Sequence, residues 1–375
     1  DLAEPPAAPL RGPAFGSYPA DDVGWLLTDL SGVELEAPTE EREEAIQSGA
    51  GHYAESLPVE YTPSPAYQRL YEEALEASAA RVARCVGVVA ELVLERRGPE
   101  VVLASLARAG TPVGVLLRHW LADRHGIDAP HYALSIVRGR GIDETALRWL
   151  ARHHDPETVM FVDGWTGKGM ITRELADALA AARPRVGPFG ADLAVLADTG
   201  HCVDLYGTRD DFLIPSACLN STVSGLVSRT VLRDDLIGPG AFHGAKFYAE
   251  LAASDVSNAF VAAVRSRFAD VAGVVAAEVA TLRAADRTPT WSGRRVVAEV
   301  GSRFGVLDQN LVKPGVGETT RVLLRRVPWR VLVRAGATGE VPHVLRLAEE
   351  RGVEVLEVPD LGYTTIGLIR PRGAS

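Results

Sequence analysis

The sequence predicts an α/β fold, with a doubly wound, mostly parallel sheet followed by a smaller C-terminal α/β domain. Short apolar runs alternate with segments of helical periodicity from about residue 100 to residue 215. Repeated βα units of this length are typical of a parallel sheet. The pattern restarts near residue 290, which predicts a domain boundary at 285–300. No apolar run reaches the roughly 18 residues of a membrane-spanning helix, so we expect no membrane span.

The elements follow in a regular order. A helix is predicted over residues 65–97, because apolar side chains recur every three to four residues until Gly98-Pro99. The strands that follow are VVLASLA, HYALSIV, TVMFVDG, LAVLAD and DFLIP, and the helices between them are VGVLLRHWLADRHG, DETALRWLARHH and MITRELADALAAA. The C-terminal unit reads RVVAEV, GVGETTRVLLRR, WRVLVRAG, VPHVLRLAEERG and VEVLEVP. We therefore predict an N-terminal extension over 1–64, a main domain over 65–290 and a C-terminal domain over 295–375.

The charge and cysteine content of the chain limit the classes of function that it can have. The chain of 375 residues has a formal net charge of -10, which disfavours general coating of nucleic acid. Residues 294–334 differ, since they carry nine Lys or Arg against three acids and favour an anionic partner. The three cysteines are far apart and form no CxxC, which predicts a reducing, cytoplasmic setting without disulfides. Residues 1–20 lack the pattern of a signal peptide.

A glycine-rich turn follows the apolar run Val159–Val162. Asp163 ends the run, and the residues GWTGKG lead directly into a helical pattern. Small residues let a backbone approach a ligand closely, and the free N–H groups at a helix start attract anions. The spacing excludes a P-loop, because two residues rather than four separate Gly164 from Gly167-Lys168. The turn predicts a phosphate site, with an ordinary strand-to-helix turn as the alternative.

A second turn, SLARAGTP, follows the strand VVLA. Arg108 and the backbone N–H groups beside it are suitable donors for an anion that gains negative charge. Both turns would lie at the carboxyl ends of parallel strands, where such sheets bind ligands. Alone, this turn would be better explained as an ordinary loop.

Together the two turns resemble the pyrophosphate and ribose-phosphate loops of type I phosphoribosyltransferases. The resemblance implies a Mg²⁺-dependent enzyme that acts on phosphoribosyl diphosphate and a base or other nucleophile, in the synthesis or modification of a ribonucleoside. It implies catalytic roles for Asp163, Arg108 and Lys168, and no direct metal ligand. The implied ribose-5-phosphate loop is Asp163, Gly164, Thr166, Gly167, Lys168 and Gly169, and the implied pyrophosphate loop is Ser105, Arg108, Ala109 and Gly110.

Polar clusters outside these turns are candidates for a hood that selects the substrate. Their residues are His52, Tyr53, Glu55, Arg138, Asn220, Ser221, Thr222, Ser224, Arg229, His243 and Lys246. Helix capping and surface solvation are the alternatives for each cluster.

The start of the predicted helix at 315–326 resembles a Pelota-type RNA-binding module. Lys313, Glu318, Thr320 and Arg321 are the candidate RNA contacts. The alternative is a docked subdomain that shapes the active site or a dimer face. A phosphoribosyltransferase-like domain joined to such a module resembles a bacterial family associated with stress-response, tellurite-resistance-type operons. A homodimer is expected by the same analogy.

Two other functional classes remain open. Gly164 stands where the transferase family usually has a second acid, which favours a non-catalytic regulator that senses a nucleotide or RNA. A Cys/His hydrolase could combine Cys218 with His243 or His201. The apolar surroundings of Cys218 predict a buried and inert thiol instead.

Overall fold

The computed structural model describes residues 2–48 and 52–373. Its helices are α1 (Thr39–Ser48), α2 (Pro65–Arg97), α3 (Thr111–His125), α4 (Glu144–His153), α5 (Met170–Val186), α6 (Ser257–Arg265), α7 (Phe268–Ala284), α8 (Ser292–Phe304), α9 (Val316–Arg325) and α10 (Pro342–Glu350). Its strands are β1 (Gly24–Trp25), β2 (Thr28–Asp29), β3 (Glu36–Ala37), β4 (Leu57–Pro58), β5 (Val102–Leu106), β6 (His131–Leu134), β7 (Ile136–Val137), β8 (Gly141–Ile142), β9 (Val159–Thr166), β10 (Leu193–Asp198), β11 (Leu205–Thr208), β12 (Gly244–Ala245), β13 (Val312–Pro314), β14 (Pro328–Arg334), β15 (Glu354–Val358) and β16 (Thr365–Ile369).

The central sheet has six strands in the order β1-β6-β5-β9-β10-β11, and its paired strands run parallel. The predicted α/β class with a mostly parallel sheet and a smaller C-terminal domain is therefore confirmed. The finer prediction of a type I phosphoribosyltransferase-like fold stays a prediction. One strand was misplaced: DFLIP is not a strand, and β11 just before it forms the sheet edge. Asp211 is instead held by the C-terminal domain, because its carboxylate accepts the N–H groups of Val316 and Thr364.

Helix α2 has the predicted bounds of 65–97. The Ser64 side chain accepts the N–H of Tyr67 and begins the helix, and Gly98 ends it with a φ of 81°. The middle of α2 is buried against α7 and the sheet. A Cβ on Gly207 of β11 would lie 2.6 Å from that of Cys85, so the helix and the edge strand approach at this glycine.

The N-terminal extension contributes to the sheet. Strand β1 pairs in parallel with β6, with Gly24 opposite Tyr132. A Cβ on Gly24 would lie 2.9 Å from the Tyr132 ring, so the small residue lets the strands meet. Sequence periodicity predicts loops and short helices in this region and misses this edge strand, because a two-residue strand has no measurable alternation.

The C-terminal domain holds a four-stranded sheet in the order β13-β16-β14-β15. Strand β14 runs parallel to β15 and antiparallel to β16. The segment RVVAEV lies in α8, a helix. Helix α9 packs on the 3₁₀ turn Pro215–Cys218 of the main domain. This contact places the start of α9 beside the carboxyl edge of the central sheet.

Candidate functional site

The glycine-rich turn is shorter than the sequence predicts. Strand β9 continues to Thr166, and α5 begins at Met170 after Gly169, whose φ is 82°. The C-terminal domain packs on this turn. The hydroxyl of Tyr363 donates to the Gly167 carbonyl at 2.9 Å, and the ring of Trp291 packs at Gly169. Protein groups therefore contact the turn that was predicted to hold a phosphate.

Lys168 connects the turn to the C-terminal domain. Its buried ammonium donates to the backbone carbonyl of Gln309, and at 3.4 Å to that of Val312. Burial and the positive charge of Lys313 lower the pKa of Lys168 to about 7. Through these contacts the Lys168 side chain joins the main domain to the C-terminal domain.

Asp163 lies half-buried next to the C-terminal domain. Burial raises the pKa of its carboxyl to about 7, although the N–H of Gly164 donates to it at 2.8 Å. Arg321 of α9 favours the ionised form, and Glu318 opposes it. A carboxyl with this pKa is about half protonated at neutral pH.

The turn after β5 presents Arg108. The Arg108 guanidinium donates to the side-chain oxygen of Asn220 at 2.9 Å, and burial lowers its pKa. A Cβ on Gly110 would lie 2.4 Å from the Val162 carbonyl oxygen, so this position requires glycine. Ser105, predicted to contact the same anion, is buried and hydrogen-bonds with His131 at 2.7 Å.

The structure brings part of the predicted hood to Arg108. The Arg229 guanidinium lies 4.6 Å from the centre of the Tyr53 ring, and its charge and that of Arg108 repel. Asn220 contacts Arg108 directly, and Ser221 donates to Glu60 from its N–H and hydroxyl groups. The hood residues gathered here are therefore Tyr53, Asn220, Ser221 and Arg229.

Most of the other hood candidates bond to neighbouring protein groups. His243 hydrogen-bonds with Ser135 at 2.8 Å, and Lys246 forms an ion pair with Glu36 at 2.7 Å. His52 contacts the Arg138 carbonyl, Glu55 pairs with Arg140, and the Ser224 hydroxyl donates to the Asn220 carbonyl. The Thr222 hydroxyl is buried without a hydrogen-bond partner.

Two of the RNA candidates on α9, Glu318 and Arg321, pack on Trp165 of the main domain. Glu318 accepts the indole N–H of Trp165 at 3.3 Å, and the Arg321 guanidinium lies 4.7 Å from the Trp165 ring centre. Thr320 is buried, and its hydroxyl donates to the Val316 carbonyl. Lys313, on β13, is half-buried.

All three cysteines are free and buried. Burial raises the pKa of each thiol, Cys85, Cys202 and Cys218, to about 12. The predicted burial of Cys218 is confirmed. The charged groups that act on its thiol are Arg325 and Arg321, and neither is a histidine.

Cys202 has different neighbours. It lies in the turn after β10, next to His201 and four residues after Asp198. The Asp198 carboxylate is fully buried, and it accepts the Cys202 N–H at 2.8 Å and the Thr166 hydroxyl at 2.7 Å. Burial lowers the pKa of His201, while the charge of Asp198 raises it. Sequence reasoning missed this turn, although an acid at a strand end followed by His-Cys was a visible signal.

Comparison with known proteins identifies the family. Residues 16–265 match the model of the family described as tellurite-like stress resistance cysteine protease StiP. The chain is 34% identical over 373 residues to the "Cysteine protease StiP" of Acinetobacter baylyi, a match that covers 96% of this chain and 94% of the relative. The chain belongs to this family. Residues 291–371 match the PELOTA RNA binding domain, so the Pelota part of the sequence resemblance is confirmed.

These matches correct the predicted activity. Phosphoribosyl transfer, with its nucleoside chemistry, is wrong, because both the family model and the relative are named as cysteine proteases. The stress-resistance part of the resemblance agrees with the family description. In the part of the chain that the structure describes, no helix is long and apolar enough to cross a membrane.

Proposed function

We propose that this chain is a hydrolase that cleaves peptide bonds with a cysteine nucleophile, and that the nucleophile is Cys202. The observation that carries the proposal is the turn after β10, where a thiol, an imidazole and a buried carboxylate occur within five residues, Asp198–Cys202. This chemistry uses a nucleophile, a base and a carboxylate. The charge of Asp198 favours the protonated form of His201. The name of the relative supports the class of reaction.

The reaction divides into two balanced steps. The Cys202 thiol gives its proton to the His201 imidazole, and the sulfur attacks the carbonyl carbon of the peptide bond. A C–S bond forms, the C–N bond breaks, and the amine leaves with the proton from His201. Water then adds to the thioester, which releases the carboxylic acid and restores the thiol.

The proposed nucleophile is covered in the structure. The Cys202 side chain is 2% exposed, and a thiol with a pKa of about 12 is protonated at neutral pH. A Cβ on Gly169 would contact both the Trp291 ring at 2.6 Å and the Cys202 sulfur at 2.7 Å. The indole therefore packs close to the sulfur, and the backbone N–H of Trp291 donates to the backbone carbonyl of His201 at 2.9 Å. Substrate access requires this contact to open.

Removal of the indole should expose the thiol. Trp291→Ala is expected to raise the rate at which iodoacetamide labels Cys202 by roughly tenfold, because a covered thiol reacts only when the cover opens. Labelling is measured at neutral pH by mass spectrometry of the peptide that contains Cys202. The matched control is Trp329→Ala, whose indole lies on β14 beneath Arg330. Equal acceleration in both variants, or none in Trp291→Ala, would contradict the role of Trp291 as a cover.

Three matched variants test the nucleophile. Cys202→Ser should abolish hydrolysis of fluorescein-labelled casein, whereas Cys218→Ser and Cys85→Ser should retain it, because each changes one buried sulfur to oxygen. Circular dichroism checks that the variants are folded. Retained hydrolysis in folded Cys202→Ser would assign the reaction to another group. Absence of hydrolysis by the wild type, with iodoacetamide-treated protein as the blank, would overturn the hydrolase proposal.

A further inference from the structure

A cleft of about 760 Å³ lies between α2 of the main domain and the start of α10 in the C-terminal domain. Leu70 and Ala77 line it from α2, and Val341 and Pro342 line it from the C-terminal domain. The chain segment 209–213 lines it as well. The volume falls in the range of roughly 300–1,000 Å³ that is typical of ligand sites. Both domains therefore contribute to one cavity of the size of a binding site.

The segment in this cleft has an unpaired backbone. After β11 the chain continues over 209–214 without a turn or bend, and among the described residues it pairs with no strand. Within residues 2–48 and 52–373, no protein group accepts the backbone N–H of Asp211, Phe212 or Leu213. Backbone groups of an extended segment without partners can pair with another chain. The sequence DFLIP thus has the composition of a strand and lacks a neighbouring strand.

Side-chain contacts hold this segment in place. The Asp211 carboxylate accepts the N–H groups of Val316 and Thr364 at 2.8 and 2.9 Å. The Arg81 guanidinium of α2 lies 4.0 Å from the centre of the Phe212 ring. The segment is therefore fixed to both domains through its side chains, which leaves its N–H groups for a ligand. A group that is already fixed loses little conformational entropy when it binds.

The charges that line the cleft are balanced. Four arginines and four acids line it. Three ion pairs lie among them, Arg81–Asp210, Glu73–Arg346 and Arg334–Glu340. A surface that binds RNA or another polyanion carries an excess of positive charge. The mixed charge and the apolar side chains of this cleft suit a polypeptide better.

The cleft extends to the turn that contains the proposed nucleophile Cys202. Thr199 lines the cleft and follows Asp198 in that turn. Arg209 also lines the cleft, and its Nε donates to the buried Asp198 carboxylate at 3.1 Å. A peptide held along residues 209–213 would therefore lie next to this turn.

We propose that this cleft binds an extended peptide, which pairs as an added strand with the backbone of Asp211–Leu213. In binding of this kind the main-chain hydrogen bonds give affinity, and the side chains around them give selectivity. The C-terminal domain then forms one wall of a peptide site. The identification of this peptide as a substrate rests on the proposed hydrolase activity, whereas its binding in the cleft does not.

Fluorescence anisotropy with fluorescein-labelled, dephosphorylated casein tests the binding. The full chain with Cys202→Ser, used to prevent cleavage of the probe, should bind casein. Ala77→Trp and Pro342→Trp, each added to this chain, place an indole in the cleft from one of its two walls and should weaken binding by roughly tenfold or more. The matched controls are Ala80→Trp on α2 and Glu349→Trp on α10, which are exposed and lie outside the cleft. Both controls should bind like Cys202→Ser.

Hydrogen exchange followed by mass spectrometry tests the added strand directly. Bound casein should slow the exchange of the amides of residues 211–213, because a paired N–H exchanges only when its hydrogen bond opens. Exchange in α7, which does not line the cleft, should stay the same. This measurement needs no substitution in the cleft, so it tests the proposal even if the tryptophan variants do not fold.

Several results would overturn the proposal. They are no binding of casein, unchanged binding in folded Ala77→Trp or Pro342→Trp, equal weakening in the two controls, and unchanged exchange at residues 211–213. Oligouridine that displaces casein, and that Ala77→Trp no longer binds, would assign the cleft to RNA instead.

The cleft and the hydrolase activity can fail separately. Casein binding without hydrolysis by the wild type would overturn the hydrolase proposal and leave the peptide site. If the wild type cleaves casein, Ala77→Trp should raise the KM of that reaction by roughly tenfold. An unchanged KM in this variant would overturn the peptide site and leave the hydrolase proposal.

Discussion

Asp198→Ala is expected to lower the free energy of unfolding by about 3–5 kcal/mol, because it removes one partner of a buried charge network. The carboxylate is 0% exposed. It accepts the N–H of Cys202, the hydroxyl of Thr166 and, at 3.1 Å, the Nε of Arg209. Alanine would leave these donors without their acceptor. Urea unfolding followed by circular dichroism measures the loss.

The control for this substitution is Asp210→Ala. That carboxylate is 69% exposed and pairs with Arg81 at 3.0 Å, so its loss should cost less than about 1 kcal/mol. Asp198→Asn keeps the shape and one acceptor oxygen, and its stability should fall between the wild type and the alanine variant. Equal stability of Asp198→Ala and Asp210→Ala would show that Asp198 does not organise this turn.

Gly200→Ala is expected to lower the free energy of unfolding by about 3 kcal/mol or more, because the added methyl group meets backbone that has no free space. Its Cβ would lie 1.9 Å from the Gly167 carbonyl oxygen and 2.9 Å from the Cys202 sulfur. The Gly293 N–H also donates to the Gly200 carbonyl at 3.1 Å, so α8 cannot shift without loss of that bond. Backbone movement that relieves this clash should loosen the turn that contains Cys202.

Gly273→Ala is the matched control. A Cβ at this helical position of α7 would have nothing within 4 Å. The substitution should therefore raise stability by about 0.5–1 kcal/mol, since alanine favours a helix over glycine. Urea unfolding compares the two variants, and iodoacetamide labelling of Cys202 reports on the turn. If Gly200→Ala is as stable as the wild type, the close approach of Gly200 to the Gly167 backbone does not exclude a side chain at position 200.

The regular elements of the main domain were predictable because each has a local cause. Helix α2 has a capping serine, an apolar periodicity and a terminal glycine, all within its own residues. DFLIP was mistaken for a strand because its apolar residues look like one, whereas its path depends on bonds from Asp211 to Val316 and Thr364, more than 100 residues away.

The candidate site was harder to predict. Arg108 and Asp163 were predicted as site residues because each follows an apolar run in the sequence, and their roles stay predictions. The structure places Asp163 within β9 rather than after it. The same local pattern led to the wrong reaction, because a strand, a turn and a helix can surround an anion or pack against another domain. Contacts with Tyr363 and Trp291 show that the second case applies at Gly167 and Gly169.

By itself the sequence determined the α/β class, the long helix, the succession of βα units and the Pelota resemblance, since these depend on periodicity, caps and motifs within short stretches of chain. The tertiary structure decided which polar groups meet. It placed Arg321 of α9 over the ring of Trp165, joined Lys168 to the C-terminal domain and surrounded Cys202 with Asp198, Gly169 and Trp291. Such contacts join residues far apart in the chain, and their energies come from burial and charge that no short segment contains.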